Sequence, residues 1–157
     1  MIYQLYLYQL NYVKLEKLNN IVFYSLEKAI KTYRQFAQRN ITKANFDITI
    51  DQWLVLKTLQ ESPAVTQQEL AITVFKDYAS ITRIIDLLVN KGYLNRTSHS
   101  TDRRRFELSI TKSGMKIIAK LRPIINTNRS TALKGLSVQD IEQLQITLNK
   151  IISNTQF

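Results

Sequence analysis

Apolar positions along this chain follow two different periods, and the change from one to the other places a β-hairpin inside a helical protein. Over residues 14–40, Leu15, Leu18, Val22, Leu26, Ala29, Tyr33 and Phe36 recur every three or four residues, which lines them up on one stripe of a helix. Lys17, Glu27, Lys28, Lys31 and Arg34 fall mainly off that stripe. Residues 1–12 either extend this helix or form a separate arm; the pattern permits both. Thr49-Ile50-Asp51-Gln52 has the form of a capping box. The hydroxyl accepts from a first-turn amide and the glutamine reaches back to the amide of the cap. Trp53, Leu54, Leu56 and Leu59 then give an inward face. Ser62-Pro63 stops the helix, because proline disfavours helical geometry in the residue before it.

Thr66-Gln67-Gln68-Glu69 is a second capping box, and it opens a short helix with Leu70, Ala71 and Val74 inward. Asp77 is placed to cap the next helix, whose buried stripe is Ile81, Ile84, Ile85, Leu88 and Val89. Gly92 stands where a helix end calls for a left-handed residue. Here the period falls to two. Tyr93 to Thr97 reads as a strand, Ser98 to Arg104 as a polar loop, and Phe106, Leu108 and Ile110 alternate onto one face of a second strand. Thr111 caps a helix predicted to run to about Leu133, with Pro123 inside it expected to kink or divide it. Gly135 closes that helix. Ser137-Val138-Gln139-Asp140 opens the last one, with Ile141, Leu144, Leu148, Ile151 and Ile152 apolar. The pattern predicts a mainly α fold with a small β-hairpin. Residues 1–157 form a single domain, in which a helix-turn-helix and its hairpin at 48–112 lie between helical regions at 1–45 and 113–157.

Composition narrows the function. Lys and Arg number 22 against 12 Asp and Glu, a formal charge of +10, which points to a polyanionic partner, nucleic acid or an anionic membrane. With no cysteine and one histidine, His99, disulfides, thiolate catalysis and a multi-histidine metal site are excluded. No apolar run approaches the ~20 residues of a membrane span. Residues 1–13 lack the basic start and small-residue cleavage site of a signal peptide, so a cytoplasmic location is expected, with no membrane partner.

The order short helix, turn, helix, basic hairpin is a DNA-reading arrangement. A helix fits the major groove with the side chains near its N-terminus at the base edges. Tyr78, Ser80, Thr82 and Arg83 are the outward residues there. Arg83 suits guanine, whereas Ser80 and Thr82 read equally well as contacts or as a solvated face. At the hairpin tip Asp102 precedes three consecutive arginines, Arg103, Arg104 and Arg105, and a narrow minor groove attracts an inserted arginine. Asp102 is repelled by phosphate, so its role is to hold the loop. Asp47 and Asp51 border a helix start, where acids favour the dipole. No catalytic triad, phosphate loop, dinucleotide turn or metal cluster appears, so neither enzyme activity nor a cofactor is expected.

From about Ile48 to Leu144 the chain resembles the multiple antibiotic resistance regulator (MarR) family. The matching text is Gln52-Trp53 with Leu56, Gln68-Glu69-Leu70-Ala71, and Ile81-Thr82-Arg83-Ile84-Ile85-Asp86-Leu87-Leu88. It continues with Lys91-Gly92-Tyr93-Leu94 and Arg96, then Asp102-Arg103-Arg104, Leu108, Ile110-Thr111-Lys112-Ser113-Gly114, and Gly135-Leu136-Ser137. The resemblance implies a winged helix-turn-helix and a homodimer in which the first and last two helices intertwine. It implies that Arg104 enters the minor groove and that Asp102 braces the wing. It also places Tyr33, Phe36, Trp53 and Leu56 beside a cleft for a small-molecule effector; read from the residues alone, such an aromatic stripe is more often a piece of core. Residues 1–12 are longer and richer in tyrosine than the family pattern, and Tyr78 is bulky for its place. The function these readings imply is a sequence-specific double-stranded DNA-binding regulator. It would be a repressor acting as a homodimer on a pseudo-palindromic operator, relieved by an effector. The alternative is a winged-helix scaffold for protein or RNA. Dimerisation has an independent argument: the apolar stripes flanking the reader need burial, and a two-fold dimer matches half-sites ~34 Å apart.

Overall fold

A computed structural model describes residues 17–98 and 106–156. After a 3₁₀ turn at Leu18–Asn20 come α1 (Val22–Lys43), α2 (Ile50–Glu61), α3 (Gln67–Thr73) and α4 (Tyr78–Asn90). An antiparallel hairpin, β1 (Leu94–Ser98) and β2 (Phe106–Ile110), leads into α5 (Lys112–Ala132) and α6 (Val138–Thr155). The hairpin register pairs Leu94 with Ile110 and Ser98 with Phe106. Tyr93, the expected start of the first strand, falls just outside it.

The four helix starts from α2 to α5 and that of α6 are chemical stops written in the sequence. Thr49, Thr66 and Ser137 close reciprocal boxes with Gln52, Glu69 and Asp140. Asp77 and Thr111 accept from the amides of Ser80 and Gly114. Each such cap is worth about 1 kcal/mol. The start of α1 is different. The residue before it, Ile21, has no side-chain oxygen to cap with, and the helix begins at Val22 rather than near residue 14. It also runs on to Lys43. Leu15 lies outside the described residues, and Leu18 is in the 3₁₀ turn.

Three helices end in the same Schellman geometry. Asn45, Phe75 and Gly92 take φ of 58°, 56° and 68°. After each, the next amide returns to a carbonyl inside the helix: Phe46 to Ile41, Lys76 to Ala71, Tyr93 to Leu88. Asparagine and glycine are the ordinary choices for this conformation; for an aromatic residue it costs about 1–2 kcal/mol.

The core is the reader. Val55, Leu56 and Leu59 of α2 meet Leu70 and Ala71 of α3, Ile81, Ile85 and Leu88 of α4, Leu94 and Leu108 of the hairpin, and Ile117, Ile118, Leu121 and Ile125 of α5. Val55, absent from the predicted inward face, is fully buried, while Trp53 and Leu54 are only partly so. Pro123 does not divide α5. The buried anchors Leu121 and Ile125 hold the helix on either side of the missing donor. No residue of α6 is buried.

Candidate nucleic-acid interface

The first turn of α4 is held from both sides. The carboxylate of Asp77 accepts from the Ser80 amide and from the Ser80 hydroxyl, both at 2.7 Å. These two bonds, the amide first, keep the Asp77 carboxyl below its ordinary range. The Thr82 hydroxyl donates to the Tyr78 carbonyl at 2.8 Å and accepts from Gln67 Nε2 at 2.7 Å, tying α4 to α3. Ser80 and Thr82 thus have structural employment at the head of the helix. Tyr78 and Arg83 are exposed on it.

The hairpin is fixed to the same helix. Arg96 on β1 binds Asp86 of α4 at 3.0 Å, and its guanidinium lies 3.8 Å from the centroid of the Phe106 ring on β2. The salt bridge ties β1 to α4, and the stacking ties β1 to β2. At the base, Gly114 of α5 leaves no room for a side chain. A methyl group there would overlap the Tyr93 carbonyl and lie 2.7 Å from Ile110 Cγ2. Asp102, Arg103, Arg104 and Arg105, and His99, lie outside the described residues.

A second brace joins the reader to α1. Asp51, in the first turn of α2, pairs with Arg34 of α1 and, at 3.0 Å, with Lys76 in the turn before α4. Burial pushes the Asp51 carboxyl up, but hydrogen bonds and charge from Lys76 and Arg34 outweigh it and hold the pKa below 3.8. Asp47 pairs with Lys91 at 2.9 Å. The two acids therefore serve separate structural pairs. Sequence reasoning located Asp51 and Arg96 but not their partners. Arg34 stood out only as a charge off the α1 stripe, and Asp86 only as part of a motif.

The four residues assigned to an effector cleft are not brought to one cavity. Tyr33 and Phe36 line a hollow of about 660 Å³ with Tyr24, Lys28, Arg39 and Thr131. Trp53 lines another of about 240 Å³ with Arg122 and Arg129. Leu56 has no exposed surface and belongs to the core. Among the described residues no acid, histidine or cysteine cluster could hold a metal ion, and no helix is long and apolar enough to cross a membrane.

A capped helix-turn-helix braced to a two-stranded ribbon is a winged helix-turn-helix, and the segment carrying it matches the model of the MarR family over residues 48–106. Solved structures agree over most of the chain. A MepR–DNA complex of S. aureus superposes with a TM-score of 0.74 at 22% identity, covering 89% of this chain and 100% of that one. BpsR of Bordetella bronchiseptica, whose DNA binding is regulated by 6-hydroxynicotinic acid, gives 0.79 at 19%, covering 87% and 96%. A Listeria innocua protein of unknown function gives 0.63 at 29%, covering 86% and 93%. Over residues 48–106 the chain is similar to the MarR family, and over most of its length it shares the fold of these solved structures.

Proposed function

We propose that this chain is a sequence-specific double-stranded DNA-binding repressor that works in the cytoplasm as a homodimer on a pseudo-palindromic operator. The observation that carries the reading is the Arg96 brace. It ties α4, whose head is exposed, to the base of the hairpin, and simultaneous reading of a major and an adjacent minor groove requires such a link. Tyr78 and Arg83 meet base edges or phosphates, with Ser80 and Thr82 contributing what their internal bonds leave free. Arg103, Arg104 and Arg105 approach the minor groove, and Asp102 holds their loop. The positive charge of the whole chain supports the same partner.

Residues 1–45 and 113–157 form the dimerisation region. Leu18, Val22, Phe23 and Ile30 at one end of the chain, and Leu133, Leu136, Val138, Leu144, Ile146 and Ile152 at the other, are exposed in the single chain. Two remote stretches with unburied apolar faces fit a second copy of the same faces. Relief by a small molecule uses the Tyr33 and Phe36 hollow, which lies between α1 and the end of α5. The regulated DNA binding of the Bordetella bronchiseptica relative supports an effector of some kind. Selection from random duplexes with the purified chain tests the reading. An inverted repeat with half-sites about one helical turn apart is expected, and binding should fall with salt at a log–log slope of about −0.9 per phosphate contacted. Salt-independent binding, or preference for single-stranded RNA, would instead favour a scaffold.

A further inference from the structure

The turn between α3 and α4 is solvated back to front. Phe75 is 92% exposed, Ile72 69% and Tyr78 60%, while Lys76 is turned inward onto Asp51 at 3.0 Å and Asp77 is taken up in capping α4. Solvation alone would choose the opposite. Phe75 also occupies a left-handed position, φ 56°, that glycine fills at the end of α4 and asparagine at the end of α1. Its ring packs on no core residue. Nothing in the folding of the chain calls for an aromatic side chain here. Most other large exposed apolar side chains, Leu87, Phe106 and Met115 apart, gather on or beside α1, the end of α5 and α6, the elements assigned to the dimer; this group sits instead at the reading head.

We propose that Phe75, flanked by Ile72 and Tyr78, is a specificity-determining contact for thymine, packing on 5-methyl groups that project into the major groove. The inference rests on the DNA-binding reading above. Phe75 precedes Tyr78 by three residues, a span of at most ~10 Å, so its ring reaches base pairs next to those met by the head of α4. The thymine methyl is the apolar feature a base pair offers in that groove. Arginine and hydroxyl contacts would fix the register, and the apolar group would select for thymine at the outer edge of each half-site.

The test uses the full chain and its selected operator duplex, with each thymine replaced in turn by deoxyuridine, which removes only the methyl group. Wild-type protein should lose about fourfold in affinity at one or two thymines per half-site, the worth of one buried methyl each. Phe75→Ala should bind the intact operator correspondingly more weakly and be indifferent to those same replacements. Phe75→Gly, suited to the left-handed backbone, should behave likewise with an unchanged or higher Tm, which separates lost contact from lost fold. A variant that binds with wild-type affinity and keeps its sensitivity to each methyl would overturn the proposal while leaving DNA binding intact. Failure of the wild-type chain to bind any duplex would remove both.

Discussion

The reader and the helices that flank it are built to opposite standards of burial. From Ile48 to Ile125 the chain closes a core around Val55, Leu56, Leu70, Ile81, Ile85, Leu88 and Leu121, none with measurable exposure. α6, at 18 residues, buries no residue at all, and α1 buries only Ala37 and Ile41 near its C-terminal end. The first region meets its own requirement for apolar contact; the second leaves Val22, Phe23, Leu144 and Ile152 in water. At about 25 cal/mol per Å² of apolar surface, such faces are a strong drive to associate. On the proposed reading, folding and assembly fall to different parts of one chain, and mutations in the two should fail in different ways.

The largest effect is expected at the outer helices. Leu148→Glu places a charge on the apolar face of α6, and at a buried interface this costs about 3 kcal/mol or more. Sedimentation should show monomers, and operator binding should vanish with the dimer. A tight, well-folded dimer in this variant would discredit the assigned interface. Within the reader, Gly114→Ala should cost about 1–3 kcal/mol by overpacking, because the neighbour in its way is the Tyr93 backbone. A urea titration reads that loss, and a wild-type midpoint would mean the wing base is looser than described.

Arg104→Ala separates binding from both. It should weaken operator binding by about 1–3 kcal/mol, roughly ten- to a hundredfold, with Tm and dimerisation unchanged. Equal affinity would remove the wing from the mechanism. The smallest effect concerns Asp51. Its carboxyl is held below 3.8 in the folded chain, so the ionised form stabilises the fold. That contribution is fully present above the unfolded value and is lost as pH falls through the lowered folded one. Asp51→Asn should therefore flatten the acid limb of a stability–pH curve below about pH 4. An unaltered acid limb would show that the Arg34 and Lys76 pairs do not stabilise the fold.

What could be read in the sequence was whatever local chemistry decides. Caps at Thr49, Thr66, Asp77, Thr111 and Ser137 need only a short side chain and the next turn of backbone, and all five are present. The change of period at Gly92 gave the hairpin for the same reason. The start of α1 was misplaced because an apolar stripe marks a face, not an end, and Ile21 supplies no stop. The braces were illegible because they are tertiary: Arg34 and Asp51 are 17 positions apart and Arg96 and Asp86 ten, with no periodicity to announce either. Phe75 carries no signal in the sequence, since its oddity is a conformation and an exposure, neither of which is written in residue type. Tyr33, Phe36, Trp53 and Leu56 shared helical stripes but diverge in space, because Leu56 faces the core while Tyr33 and Trp53 line separate hollows.

If the head of α4 and the hairpin act together on one duplex, the link between them decides where the chain sits on DNA. Hydroxyl-radical footprinting of Arg96→Ala on the selected operator tests this most directly, since it cuts the link to Asp86 and Phe106 without touching a residue assigned to DNA. Protection at the outer minor grooves should be lost while the central major-groove contacts persist at reduced affinity. A footprint identical to wild type, at equal affinity, would contradict it.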